Sequence, residues 1–346
     1  MFRIREATPD DNQALLRLES QSPQGTGISI LIDRDDYFYR SRMHEQSKVL
    51  IAEEDERLVG VMAFAVKEAL LDGETEKVAY FYDLRGEATY RRSMKRGLFR
   101  LWKAVVEEIE SEGALFIYGH VKSDNYESLS VTTKIGAQEV ASFDILSLPS
   151  LRGRAFELDP HLDNLEEEVE RIQQFVGDRC MRPPDLLAPY KRGAELGYLK
   201  GIYRLTSATS FAQVSAWDLS SIYRGRVLHM PLGLKALGWG LNPLAKLFPL
   251  PRVPVEGERI SYVTLFDPVS RGPHRHVLLK RLIQQIRRDA YQQGIDILTF
   301  FVYRDDPLAS LPTFFPEKVL HYHTMVRPLS SARMPDPPLY LDIRDI

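Results

Sequence analysis

Apolar and polar residues alternate from Phe2 to Ala7, which predicts a short strand. Thr8-Pro9-Asp10-Asp11 supplies an N-cap, a proline for the first helical position and early carboxylates, ahead of a helix face at Ala14, Leu15 and Leu18. The pattern is irregular from Ser20 to Ser47, with a short helix at Tyr37-Phe38-Tyr39. Val49–Ala52 and Val59–Phe64 flank the charged turn Glu53 to Arg57 as a hairpin, and Lys77–Leu84 reads as a third strand after the Asp72-Gly73 turn. Leu98, Leu101, Trp102, Val105 and Ile109 recur at three- and four-residue steps and form one buried helix face, which Gly113 ends. Leu115–Val121 follows as a strand, Asn125–Ile135 as a helix and Gln138–Leu148 as a strand. Between the third strand and the long helix lies Arg91-Arg92-Ser93-Met94-Lys95-Arg96-Gly97, read as a loop. Cations gathered where a helix begins, beside backbone N–H groups without intrahelical partners, make a seat for phosphate.

Leu151 to Asp163 has no clear period and is the best linker, so the division expected is 1–150 and 151–346. A charged helix, Asn164–Val176, opens the second half, followed by strands at Tyr198–Leu205 and Phe211–Ile222. Leu232–Val253, rich in Leu, Pro, Gly and Trp, reads as a packed Pro-rich loop, with a membrane- or partner-contacting lid as the alternative. An ungapped offset of 181 positions carries Leu84 onto Leu265 and Leu98, Leu101, Trp102 and Val105 onto Leu279, Leu282, Ile283 and Ile286. It also carries Gly113 onto Gly294 and the strand Leu115–Val121 onto Asp296–Val302. One strand–loop–helix–Gly–strand unit therefore occurs twice, which favours two similar domains. The fold class expected is α/β (α+β), with helices on the faces of a sheet.

Composition narrows the function. A chain of 346 residues with 44% apolar and 27% charged residues is of ordinary globular type, and a net charge of −3 gives no global attraction to nucleic acid or anionic membrane. The single cysteine, Cys180, excludes an internal disulfide framework and fits a reducing compartment. The charged N-terminus lacks a signal-peptide pattern and no apolar run spans a bilayer, so a cytoplasmic location is expected. His274-x-His276 and His321-x-His323 lack the further ligands zinc requires, so no metal site is expected. Glycine-rich nucleotide loops and a hydrolase elbow are absent, and the aromatics are not interleaved with a basic stripe.

With its order of elements, and above all with Asn125-Tyr126-Glu127-Ser128-Leu129-Ser130-Val131-Thr132-Thr133-Lys134-Ile135-Gly136-Ala137, the first half resembles the GNAT (Gcn5-related N-acetyltransferase) superfamily. The second half resembles it through the repeat, in degenerate form. The resemblance implies two tandem acyl-CoA N-acyltransferase-like domains, each a mixed, mostly antiparallel sheet flanked by helices. It implies acetyl-CoA or another acyl-CoA as cosubstrate and acyl transfer to the amine of a small molecule or peptide. The cofactor residues implied are Leu84, Arg85 and Gly86 on the strand, with Gly86 as a bulge or close approach. To these it adds Arg91, Arg92, Ser93, Met94, Lys95, Arg96 and Gly97 at the pyrophosphate, and Asn125, Ser128 and Thr132 on the following helix. At least one family glycine is missing from the loop, and Thr132 stands where many members have a general-acid Tyr; an aliphatic hydroxyl is far less acidic than a phenol. Candidate bases are Asp83, Glu53 (or Glu54) and His120. In the second half, Pro273 removes an N–H where phosphate would need one, and Asp306 replaces the Asn. Two alternatives stand beside the transferase: an inactive ligand-sensing or scaffold module, and an aminoacyl-transferring relative that does not use CoA. Monomer and dimer are both left open.

Overall fold

The computed structural model describes residues 2–21, 29–87, 91–153, 162–245, 248, 252–303, 318–329 and 334–346. The first half runs β1 (Phe2–Glu6), α1 (Asn12–Ser20), β2 (Ser29–Ile32), β3 (Gln46–Glu54), β4 (Arg57–Leu71), β5 (Glu74–Gly86), α2 (Arg91–Ser111), β6 (Phe116–Lys122), α3 (Tyr126–Lys134) and β7 (Gln138–Pro149). The second half runs α4 (Leu165–Val176), α5 (Leu187–Glu195), β8 (Leu199–Thr206), β9 (Phe211–Trp217), α6 (Ser220–Tyr223), β10 (Gly225–His229) and α7 (Leu232–Ala245). It continues with β11 (Arg259–Ile260), β12 (Tyr262–Arg271), α8 (Arg275–Gln292), β13 (Ile297–Tyr303) and β14 (Lys318–Pro328). The local signals behave as their chemistry dictates. The Asp11 carboxylate accepts the backbone N–H of Thr8 at 2.7 Å where α1 is prepared, and Asn125 accepts the N–H of Ser128 at 3.1 Å as the N-cap of α3.

One sheet of eleven strands, in the order β1-β3-β4-β5-β6-β14-β7-β13-β12-β9-β8, runs through both halves; β11-β10-β2 form a small second sheet. Pairing in the large sheet is antiparallel except at β5–β6 and β12–β13. β14, from the end of the chain, lies between β6 and β7, and β7 in turn pairs with β13. The two halves thus exchange strands. On one face α2 seals the first half through Leu101, Val105 and Ile109, all fully buried; each contributes about 1.5–3 kcal/mol by burial. α8 does the same in the second half with Leu279, Leu282 and Ile286.

The repeat is present but is not ungapped. The helices match at 181 positions (Leu101 with Leu282, Ile109 with Ala290), whereas the bulged strand residues Asp83 and Asp267, both at positive φ, are 184 apart. Leu84 is therefore not the counterpart of Leu265. The difference lies at the start of the helix, since α2 has 21 residues and α8 has 18. Buried apolar strands tolerate such a slip in an alignment because every position looks alike.

Two further expectations change. Within the stretch expected as a packed loop, Leu232–Ala245 forms α7, with Leu232 and Trp239 largely exposed and Pro243 near its end. Apolar residues on every side of this helix hide its period. The expected strand Phe211–Ile222 stops at Trp217, where Asp218 accepts the N–H of Ser220 at 3.0 Å and starts α6.

Candidate active site

β5 and β6 run side by side but pair only at Ala79 with Ile117 and Tyr80 with Tyr118. Beyond these pairs β5 turns away, because the β4–β5 register shifts between Val61 and Ala63 and Asp83 adopts φ 53°. A bulge of this kind bends its strand. At the crotch of the splay the backbones nearly touch: a Cβ on Gly119 would lie 2.9 Å from the Phe81 carbonyl oxygen. From Phe81 to Gly86 the inner edge of β5 has no strand partner among the described residues. Such an edge offers N–H and C=O groups to an extended ligand.

On the face opposite α2, alternation places Tyr80, Tyr82, Tyr118 and His120 together. Tyr80 lies 5.6 Å from the Tyr82 ring, 5.3 Å from Tyr118 and 5.6 Å from His120, and His44 stacks 6.0 Å from Tyr82. The last residues of the chain cross beneath this layer. Lys67 Nζ donates to Asp342 at 2.7 Å and to both oxygens of Asp345 at 2.7 and 2.8 Å. Tyr118 donates to the Asp345 carboxylate, while Tyr80 and Arg40 donate to the Asp345 carbonyl. Arg344 and Lys67 hold Asp342 ionised, whereas burial raises the Asp345 carboxyl. His120 is pushed down to about 3 by burial, so its imidazole is neutral near pH 7; Nδ1 meets the Thr324 hydroxyl at 3.2 Å and Nε2 is buried without a partner. Both ring nitrogens of His44 are likewise buried and unpartnered, and burial keeps it neutral.

Residues 3–127 match the family model of the acetyltransferase (GNAT) domain. These residues thus carry the match to a GNAT domain. Among solved structures it is similar to Saccharomyces cerevisiae N-myristoyltransferase with bound myristoyl-CoA, with a TM-score of 0.63, 9% identity, and coverage of 99% of this chain and 82% of that one. It is also similar to a GCN5-related N-acetyltransferase from Anabaena variabilis, with a TM-score of 0.51, 12% identity, and coverage of 95% and 73%. These likenesses concern the fold, and they cover both halves of the chain. A search of curated protein sequences gives no match.

Within the GNAT domain the residues singled out from sequence separate. Asp83 and His120 flank the splay. Asp83 is held down to about 2 against the cost of burial, because Arg34 (3.1 Å), Arg40 (3.7 Å) and Arg85 (3.9 Å) surround it. Glu19 shares two of these arginines, accepting Arg34 at 2.8 and 2.9 Å and Arg85 at 2.9 Å. Glu53 lies apart, on β3 towards the sheet edge, bonded to Arg5 at 2.6 Å. Leu84 packs with the α2 core, the guanidinium of Arg85 turns to Glu19, and Gly86 pairs with Gly60; the bulge falls at Asp83, not at Gly86.

The expected loop of Arg91 to Gly97 is helical from Arg91 onward, and it supplies the extra length of α2. The side chains of Arg91, Arg92, Ser93, Met94, Lys95 and Arg96 lie outside the described residues, while Gly97 lets α2 approach Phe2, whose ring lies 3.0 Å from a built Cβ. Thr132 donates back to the Ser128 and Leu129 carbonyls, both at 3.0 Å. Asp306 lies outside the described residues. His321 contacts Asp144 at 2.6 Å and His323 contacts Glu139 at 2.9 Å, and no metal-binding group occurs among the described residues. Nor is any described helix long and apolar enough to cross a membrane. Sequence reasoning missed Arg40, His44, Lys67 and Asp345. Only Lys67 left a signal, as a lone cation inside the apolar run Val61–Leu71.

Proposed function

We propose that this is a cytoplasmic acyl-CoA-dependent N-acyltransferase that binds its acyl donor, acetyl-CoA or a longer homologue, in the splay between β5 and β6. The observation that carries the reading is the parallel pair that closes at Tyr80–Tyr118 and then leaves the β5 edge open from Phe81. The pantetheine arm is an extended amide chain, and the free edge of Phe81 to Gly86 suits it. Gly119 keeps the crotch clear of side chains. The backbone N–H groups at the start of α2 suit the phosphates, and the sequence there is basic, with Arg91, Arg92, Lys95 and Arg96.

The acceptor amine, of a small molecule or peptide, attacks the thioester carbonyl directly, so correct placement is the main contribution of the site. His120, neutral and with a free Nε2, accepts a hydrogen bond from the amine and aims its lone pair at the carbonyl carbon. Asp83 acts as the counter-ion of Arg34 and Arg40 and not as a base, because a carboxylate held near 2 has too little affinity for a proton to take one from the amine. A second reading, a module that binds acyl-CoA without turnover, is favoured by one contact: the Thr132 hydroxyl is committed to helix carbonyls and has no proton to offer a departing thiolate.

Isothermal titration with acetyl-CoA, myristoyl-CoA and free CoA tests the binding. Saturable heat with at least one acyl-CoA is expected; its absence for all three at millimolar ligand removes the assignment. Thiol release over an amine panel then separates transfer from sensing.

A further inference from the structure

The second half repeats the splay but changes its chemistry. β12 and β13 pair from Tyr262 with Ile297 to Leu265 with Phe300 and then diverge at a bulge where Asp267 adopts φ 47°. A cavity of about 50 Å³ opens there, lined by Asp267 and Arg179 and by the rings of Phe266, Phe301, Tyr303 and Tyr340. Tyr190 and Tyr340 both donate to Oδ2 of Asp267 at 2.8 Å. No donor reaches Oδ1 among the described residues. At the equivalent bulge Asp83 is enclosed by three arginines, while among the described residues no salt bridge reaches Asp267 and the Arg179 charge offsets only part of the cost of burial. Burial lifts the Asp267 carboxyl to about 7.

An acid fixed by two tyrosines, with one oxygen free and aromatic walls around it, is complementary to a cation that brings apolar surface with it. An anion would meet this carboxylate, and a neutral alcohol would bring no charge to set against it. We propose that this cavity binds a primary ammonium group on a small apolar stem, with Asp267 as counter-ion and Tyr190 and Tyr340 as the groups that orient it. The proposal does not depend on acyl-CoA binding in the first half.

The full chain is titrated calorimetrically with n-butylamine, 1-butanol and butyrate. Saturable binding of the amine is expected, at least about tenfold tighter than that of the alcohol or the acid. The affinity should rise as pH passes upward through the Asp267 value, since the carboxylate is the binding form. The other groups facing it are Tyr190 from α5, Tyr340 and Asp342 from the C-terminal segment, Arg179 after α4 and Tyr303 from β13. Burial raises Tyr190, Tyr303 and Tyr340, and Arg344 and Lys67 lower Asp342, so these four keep one charge state across neutrality. Asp267→Asn should lower amine affinity by about tenfold or more and abolish its pH dependence, with Tyr340→Phe in between. If Asp267→Asn does not fold, the wild-type proton release on amine binding, measured in two buffers of different ionisation enthalpy, serves instead. No saturable amine binding, equal affinity for 1-butanol, or amine binding without proton release below neutral pH would each overturn the assignment.

Discussion

A methyl group at position 119 would press on the Phe81 carbonyl oxygen from 2.9 Å, and neither backbone can yield without parting β5 from β6. Gly119→Ala should therefore cost about 1–3 kcal/mol, read as a fall in the midpoint of a denaturant titration. It should also weaken any acyl-CoA binding. Titratable groups add a pH signature. The folded value of His120, about 3, lies below its ordinary 6.5, so the unfolded chain takes up the proton first and stability is lost as pH falls below 6.5. His120→Asn should reduce the loss between pH 6.5 and about pH 5 by about 2 kcal/mol, measured by chemical denaturation at both values. Asp267 has the opposite sign. Its folded value, about 7, lies above 3.8, so its contribution to stability is present at acid pH and is lost as pH rises through 7. At this scale the sequence showed Asp83 and His120 as candidates, but not that three arginines lock the first and that burial leaves the second neutral.

At the scale of elements, α2 was legible because Leu98, Leu101, Trp102, Val105 and Ile109 share one face at helical spacing. Its beginning was not, because Arg91 to Arg96 carries no apolar period and helix and loop look the same there. α7 was hidden for the opposite reason, an excess of apolar residues. The C-terminal segment offered no periodic signal at all, and it is held both by the buried Leu339, Tyr340, Leu341 and Ile343 and by charge. Lys67, buried in β4, is matched by Asp342 and Asp345 from the far end of the chain. Lys67→Met should destabilise by about 3–5 kcal/mol, since it removes the cation that two buried carboxylates share. Limited proteolysis should then cut after β14 before it cuts elsewhere; unchanged stability and an unchanged cleavage pattern would show that the tether is not needed.

In the whole molecule the exchange of β7 and β14 decides how the halves depend on each other. Residues 1–150 expressed alone would lack the strand that separates β6 from β7, and residues 151–346 would lack the strand that covers β13. Neither fragment should unfold cooperatively by calorimetry, whereas the two mixed should recover one transition. Cooperative unfolding of isolated 1–150 would show that β14 is dispensable to it. The 181-residue repeat revealed the duplication, but a repeat is read along the chain and says nothing about which copy a strand joins.

What the sequence by itself determined is local: the amphipathic phase of α2 and α8, the caps at Thr8 and Asn125, the alternating strands, and a GNAT resemblance through Asn125–Ala137. These depend on residues a few positions apart, whose mutual geometry the backbone period dictates. Only the tertiary structure decided the crossing of β14, the arginine cage of Asp83, the Lys67 tether and the cavity at Asp267. Each joins groups far apart in the chain, and desolvation, which sets the charge of those groups, exists only after the chain has closed around them.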